Sequence, residues 1–255
     1  MGLEKYRKKL DLFFDPLTKA LSVVHPDVFS TLSFIFAIIA GLLYGFSDQL
    51  VWDGPYGEYP WLILLALVFI GFNSIADTLD GRIARYLGRE TKVGDFLDHT
   101  FDRLSDIAIL VGIAFSPYCN TIFGLIAVAF VLMSSYMGTQ AQALGCGRNY
   151  SGVMGRADRM VLLMFATLFQ FLVRAGWGVN GPWIGAIGIR LVPLEITVGI
   201  MMLGGILTTV TRGRDTYRCL KEQETSQEGR RDRIQRSIGS ISDGYGRSRF
   251  RDRRR

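Results

Sequence analysis

The chain has 255 residues, a formal charge of +6, a pI near 9.3 and a hydrophobic fraction of 49%, totals that taken whole describe a basic soluble protein. The distribution excludes that reading: from Arg212 onward fourteen Lys/Arg face seven Asp/Glu, so a charged end dilutes a body that is close to neutral and far more apolar than average. Three scattered cysteines (Cys119, Cys146, Cys219) support neither a disulfide framework nor a metal knuckle, and His25 and His99 are too few and too far apart for a histidine-ligated metal.

Residues 1–24 carry Lys5, Arg7, Lys8 and Lys9, then Leu10, Leu12, Phe13, Phe14, Leu17 and Leu21 at helical spacing. This pattern predicts an amphipathic helix lying in a membrane interface, interrupted at Pro16. A cleavable signal would need a longer apolar core and a small-residue cleavage site. Residues Pro26 to Phe46 are almost uncharged, which at about 1.5 Å per residue is enough to cross a hydrocarbon layer of roughly 30 Å. The linker SDQLVWDGPYGEYP is acidic and turn-rich, and Trp52, Tyr56, Tyr59 and Trp61 stand where an aromatic belt belongs. A second span begins near Trp61 and stays apolar to Ala76, which puts Asp77 and Asp80 near the far membrane surface.

The stretch from Asp77 to Asp102, DTLDGRIARYLGRETKVGDFLDHTFD, is where the chemistry concentrates. Asp77 and Asp80 are three apart, Asp98 and Asp102 four apart, so each pair shares one helix face and can meet the other pair across a seam. Carboxylates at that density repel one another unless one or two divalent cations neutralise them. An all-oxygen donor set suits Mg²⁺ or Mn²⁺ rather than zinc, and Mg²⁺ keeps positions open for phosphate oxygens. Gly81 and Ala84 keep the helix surface clear for a close ligand, and Gly94 precedes the second acidic pair. Arg85 offers a planar fork suited to a diphosphate, or is a solvated anchor at the helix end. His99 beside Asp98 reads as a wall of the site.

The pattern Asp77-x2-Asp80-Gly81-x2-Ala84-Arg85-x8-Gly94-x3-Asp98-x3-Asp102 resembles the complete signature of the CDP-alcohol phosphotransferases, with all eight positions matched. The resemblance implies an all-α integral membrane enzyme with six transmembrane helices, usually dimeric, that makes phospholipids by displacing CMP from a CDP-activated donor. It implies that Asp77, Asp80, Asp98 and Asp102 hold two Mg²⁺ or Mn²⁺ ions and that Asp102 is also the general base. Gly81, Ala84, Arg85 and Gly94 would line the CDP pocket.

A third span runs from near Asp95 to Phe115, where Asp106 continues the acidic stripe one turn deeper, as a partner for a neighbouring arginine rather than a metal ligand. A fourth covers about Thr121 to Leu144 and turns polar after Ser134, a fifth starts near Met160, the Gly-rich loop 174–192 has the composition of a re-entrant segment, and a sixth covers about Pro193 to Val210. The expected organisation is therefore an interfacial helix at 1–24, a six-helix catalytic domain at 25–212 and a disordered basic tail at 213–255. Arg-rich sequence can bind nucleic acid, but next to a membrane domain the tail is read as resting on anionic headgroups, with no nucleic-acid partner. Lysine and arginine bias places both termini and the acidic cluster on the cytosolic side of the cell membrane; Arg174 and Arg190 are the exceptions.

A transporter would also carry intramembrane carboxylates, but nearer mid-bilayer and with no need of the three small residues at those offsets; a scaffold would tolerate loss of the acids. The substrates expected are a CDP-lipid, of archaeal type by resemblance of the SYMGTQAQALG and GRADR elements, and a small phosphorylated alcohol. Arg156, Arg159 and Arg212 supply cationic forks for the alcohol's own phosphate. In the inositol-phosphate branch of the family a basic residue follows the Ser-Tyr pair of span four and an arginine opens span five. Arg156 matches the second, whereas Gly138 stands at the first. Inositol phosphate is expected as acceptor, with glycerol phosphate and then serine as alternatives.

Overall fold

Six long helices account for most of the computed structural model, which describes residues 14–49, 52–54, 57–147, 151–177, 180–181, 183–184 and 189–251. A short helix α1 is described over residues 14–21, and Lys5, Arg7, Lys8 and Lys9 lie outside the described residues. It is followed by α2 (Pro26–Gly45), α3 (Trp61–Leu87), α4 (Lys92–Ala114), α5 (Thr121–Ala143), α6 (Arg156–Trp177) and α7 (Pro193–Arg251). The all-α expectation holds, with strand pairing confined among the described residues to two linkers. The linkers before α3 and before α7 each carry a short antiparallel hairpin, β1 (Trp52–Gly54) with β2 (Gly57–Tyr59) and β3 (Trp183–Ile184) with β4 (Ile189–Arg190), pairing Trp52 with Tyr59 and Trp183 with Arg190. Proline and glycine, which break helices, flank both hairpins.

Among the described residues five helices are long and apolar enough to cross a membrane: α2, α3, α5, α6 and the first part of α7. The chain is a multi-pass membrane protein. Helix α4, with 23 residues, has the length to span as well, but four aspartates, a lysine and an arginine lower its hydropathy. The outer faces of the five carry exposed Ile35, Leu42, Leu65, Phe72, Leu125, Phe165, Phe169, Leu203 and Leu207, an apolar girdle that water would not tolerate and lipid does.

The chain forms two compact units, Met1–Ser135 with Gly152–Thr209, and Tyr136–Ser151 with Val210–Arg255. The core of the first is built from Ala37, Ala40 and Tyr44 of α2, Ile63, Ala66 and Ile70 of α3, Ile109 and Ile113 of α4, with Val131, Leu163 and Val198 from the later helices. Helices α2 and α4 touch backbone to backbone: a Cβ on Gly41 would lie 2.2 Å from the Ala108 carbonyl oxygen, and one on Gly112 would lie 2.1 Å from that of Gly41. Helix α1 packs Phe14, Leu17 and Leu21 on Phe29, Leu79, Ile83 and Leu87, with the Arg82 guanidinium 5.1 Å from the Phe14 ring centroid.

In the second unit two sequence expectations are corrected. Where residues 213–255 were expected to be without regular structure, α7 continues to Arg251. No proline follows Pro193, and Arg218 with Glu222 and Glu228 with Arg231 stand at spacings that support a helix. Charge and low apolar content argued against a packed core, which a single solvated helix does not need. Cys146 and Cys219, read as unpaired, form a disulfide. They are 73 residues apart and meet because α7 stays helical past Cys219. The same stretch binds the loop after α5 through Arg212 Nε donating to the Ser151 carbonyl oxygen and Ser151 Oγ donating to Asp215 Oδ2, each at 2.8 Å.

Candidate active site

The acidic cluster owes its shape to the tight turn between α3 and α4. Gly88 takes the left-handed conformation (φ 61°) that ends α3, and the Arg89 N–H reaches back to the Ala84 carbonyl oxygen at 2.9 Å. Thr91 then caps α4, its Oγ1 accepting from the Gly94 N–H at 3.0 Å. Four residues separate the helices, so they run back antiparallel. Asp77 and Asp80, two to three turns before the end of α3, come opposite Asp98 and Asp102, two to three turns into α4.

Helix α2 sets the height of α3. The Asn73 side-chain amide, fully buried one turn before Asp77, donates to the Ser33 carbonyl oxygen and Oγ, both at 2.9 Å. Ser30 Oγ, one turn along α2, donates to Asp80 Oδ2 at 2.7 Å, and the Gly81 N–H closes on Asp80 Oδ1. Ser30 was not singled out in the sequence. Its signal was the spacing of Ser30 and Ser33, two small polar residues three apart in an otherwise apolar span.

Asp77, Asp80 and Asp98 each bring a carboxylate oxygen within 4.8 Å of the others, and Asp98, His99 and Asp102 do the same with one ligand atom each. Both sets could hold a divalent cation, and the four aspartates of the signature supply the hard oxygen donors that Mg²⁺ and Mn²⁺ take. His99, read as a wall, is near enough to take part, with Nδ1 3.5 Å from Asp98 Oδ2 and Nε2 3.5 Å from Asp95 Oδ1.

From α6 come two arginines that the sequence placed at or before the start of span five and that the structure places on its first turns. Asp158 Oδ2 accepts from the Gly155 N–H at 2.9 Å and closes the helix start. Arg156 and Arg159, three apart, then share a face. Arg156 Nη1 stands 2.6 Å from both Asp77 Oδ2 and Asp102 Oδ1, bridging the two acidic helices. Arg159 Nη2 donates to Asp106 Oδ2 at 2.8 Å, the arginine partner expected for that deeper acid. Arg103 Nη1 adds a weaker contact, 3.6 Å from Asp102 Oδ2. Five carboxylates thus face three guanidiniums and one imidazole. The residual negative charge is what a divalent cation would neutralise.

Gly81, Ala84 and Arg85 follow Asp80 on the last turns of α3, and Gly94 lies in the first turn of α4, so the positions expected to line a nucleotide pocket gather at the hairpin end beside the acids. Arg85 is exposed and folds back over Gly81, where a Cβ would meet its Nη1 at 3.4 Å. Arg212 belongs to the second unit, where its Nε is engaged by Ser151.

The family model of the CDP-alcohol phosphatidyltransferases matches residues 23–210, from before α2 into α7. A phosphatidylinositol phosphate synthase of Cutibacterium acnes is 31% identical over 218 residues, which cover 82% of this chain and 95% of that protein. An archaetidylinositol phosphate synthase of Pyrococcus horikoshii is 28% identical over 66% of this chain and 83% of its own length. The fold is similar to the crystal structure of Mycobacterium tuberculosis phosphatidylinositol phosphate synthase with CDP-DAG bound, at a TM-score of 0.60 and 22% identity, over 79% of this chain and 92% of that one. With its eight-position motif inside the matched region and four of its aspartates gathered at one helical hairpin, the chain belongs to the CDP-alcohol phosphatidyltransferase family and is a transferase.

Proposed function

We propose that the protein makes a phosphoinositide-type phospholipid by transferring the phosphatidyl or archaetidyl group of a CDP-lipid to inositol phosphate, with release of CMP. The observation that carries this reading is the placement of Arg156 and Arg159 against the acidic cluster, with Arg156 Nη1 2.6 Å from Asp77 and Asp102. An acceptor that brings its own phosphate needs cationic forks within a few ångströms of the reacting centre, and an uncharged alcohol does not. The relatives named for inositol phosphate products, bacterial and archaeal, support the same acceptor.

Asp77, Asp80, Asp98 and Asp102 would hold the Mg²⁺ or Mn²⁺ ions, two in the full site. When bound, the metal would offset the charge of the diphosphate and favour departure of CMP. The remaining steps belong to the protein. Gly81, Ala84 and Gly94 leave the helix surface open to the cytidine diphosphate, with Arg85 at its edge. Arg156 and Arg159 take the acceptor phosphate and aim its free hydroxyl at the phosphorus next to the lipid. Asp102 accepts the hydroxyl proton as the new P–O bond forms and the P–O bond to CMP breaks. Arg156 and Arg103 beside it keep that carboxylate oriented.

Around the site we infer six membrane crossings with α4 as the third, an interfacial amphipathic helix at 1–24, a homodimer in the cell membrane, and termini and active site on the cytosolic side. The basic end of α7 would lie on anionic headgroups. Glycerol phosphate is the second reading, and Gly138, which stands where the inositol-phosphate branch carries a basic residue, is the observation in its favour.

The deciding experiment offers purified protein one CDP-lipid with inositol phosphate, glycerol phosphate, free inositol or serine, and measures CMP release. Inositol phosphate is expected to be turned over fastest. Faster reaction with free inositol or serine than with either phosphorylated alcohol would overturn the reading.

A further inference from the structure

Asp106 stands one helical turn beyond Asp102 on the same face of α4, outside the eight-position signature, and is buried at 3% exposure. Its Oδ2 accepts from Arg159 Nη2 at 2.8 Å, and its Oδ1 lies 3.8 Å from Arg156 Nε. A carboxylate this deep is costly in a membrane protein unless its charge is matched, and the two guanidiniums match it.

The pairing also works in the other direction. An arginine side chain has several rotatable bonds, and its planar fork recognises phosphate well only when held in one orientation. Arg156 is gripped at Nη1 by Asp77 and Asp102 and faces Asp106 along its Nε edge, while its buried Nη2 and Nε have no hydrogen-bond partner among the described residues. Arg159 is gripped at Nη2 by Asp106, and its buried Nε has no hydrogen-bond partner among the described residues. One buried carboxylate thus restrains both forks.

We propose that Asp106 is a positioning residue: without touching substrate, it holds Arg156 and Arg159 as a fixed pair of forks for the phosphate of the alcohol acceptor. The proposal rests on the reading of the acceptor given above and adds the group that sets its pocket. It separates Asp106 from the four acids before it on the same surface, which would hold metal and accept the proton.

The experiment uses the full chain in lipid nanodiscs with Mg²⁺ and measures kcat, the KM for inositol phosphate, the KM for CDP-lipid, and thermal stability. Asp106→Asn keeps the volume and removes the charge. It is expected to raise the acceptor KM by roughly 10- to 100-fold, the cost of letting a positioned group drift by about 1 Å, with the CDP-lipid KM unchanged; Asp106→Glu is expected to recover part of that loss. A purely structural acid would lower stability and kcat with no selective change in acceptor KM, and that result overturns the proposal. Leaving Arg159 charged and unpaired could prevent folding, so the pair Asp106→Asn, Arg159→Gln is compared with Arg159→Gln alone. Equal acceptor KM in the two assigns the effect to Arg159, a further rise in the double variant assigns part of it to Arg156, and a double variant with a lower acceptor KM than Arg159→Gln alone overturns the proposal. Wild-type protein that uses free inositol as well as inositol phosphate would instead sink the acceptor reading itself, whatever Asp106 does.

Discussion

Gly41→Ala tests whether the α2–α4 contact sets the geometry of the site. The added Cβ would lie 2.2 Å from the Ala108 carbonyl oxygen and 2.8 Å from its carbon. Carbon–oxygen contacts settle near 3.3 Å, so the helices must part by at least about 1 Å. Backbone atoms cannot swing aside as a side chain would. Overpacking of this kind costs about 1–3 kcal/mol, a fall of roughly 5 °C in Tm for a chain of this size. The effect on turnover should be larger. Ala108 lies two residues past Asp106 and six past Asp102, so moving α4 shifts its acids relative to Asp77, Asp80 and Arg156. A displacement of about 1 Å can reduce rate by about 10²-fold. The assay is CMP release by purified protein beside a thermal melt in the same detergent, with Gly45→Ala as control, since a Cβ there meets nothing within 4 Å. Wild-type turnover and melting in Gly41→Ala would refute the contact. Loss of stability with turnover intact would show that α4 can move without disturbing the acids.

Asp102→Asn is expected to lower kcat by roughly 10²–10⁴-fold while the protein still inserts and binds CDP-lipid, because it removes the proton acceptor and leaves three of the four metal ligands; activity above about a hundredth of wild type would argue against Asp102 as base. Asp77→Ala should do worse, losing metal as well. EDTA should stop turnover and Mg²⁺ or Mn²⁺ restore it, with Zn²⁺ a poor substitute for hard oxygen donors; turnover that persists in chelator would sink the metal reading. Arg156→Ala should raise the KM for inositol phosphate, and an unchanged KM would remove it from the phosphate pocket. Truncation after Arg231, which keeps Cys219 and the contacts to Ser151, should leave turnover in detergent intact and weaken attachment to anionic vesicles, whereas an inactive truncation would make the end of α7 part of the site.

The acids were legible because their information is local. Spacings of three and four within one helix put side chains on one face whatever the rest of the chain does. What stayed hidden depends on contacts between residues distant in sequence. Ser30 reaches Asp80 across fifty residues and Cys146 meets Cys219 across seventy-three, and nothing at either end marks the other as its partner. Arg159 sat in the sequence beside Arg156 as an equal candidate for phosphate, yet its Nη2 is committed to Asp106, and of the two it is Arg156 that reaches the signature acids. The helical continuation of α7 was missed for a different reason: composition forecasts whether a segment can bury a core, and an isolated helix buries none.

The positions of these groups also explain why the site belongs at this depth. The α3–α4 hairpin ends in Arg82, Arg85, Arg89 and Lys92, which want water, while the same helices a few turns earlier or later carry Phe72, Ile75 and Leu104 exposed on their outer faces. Asp77 and Asp80 on one side and Asp98 and Asp102 on the other fall at the changeover. Deeper, the acids would face hydrocarbon and a lipid-linked diphosphate could not bring its charge to them. Shallower, the two lipid chains would have to leave the apolar layer, at about 0.8 kcal/mol for every CH₂ exposed. A reaction that joins a lipid-borne phosphate to a water-borne alcohol needs its metal ligands where both partners stay in their own solvent. On the proposed reading Arg156, held between Asp77 and Asp102 with Asp106 along its Nε edge, would be the fork that meets the acceptor's phosphate at that level.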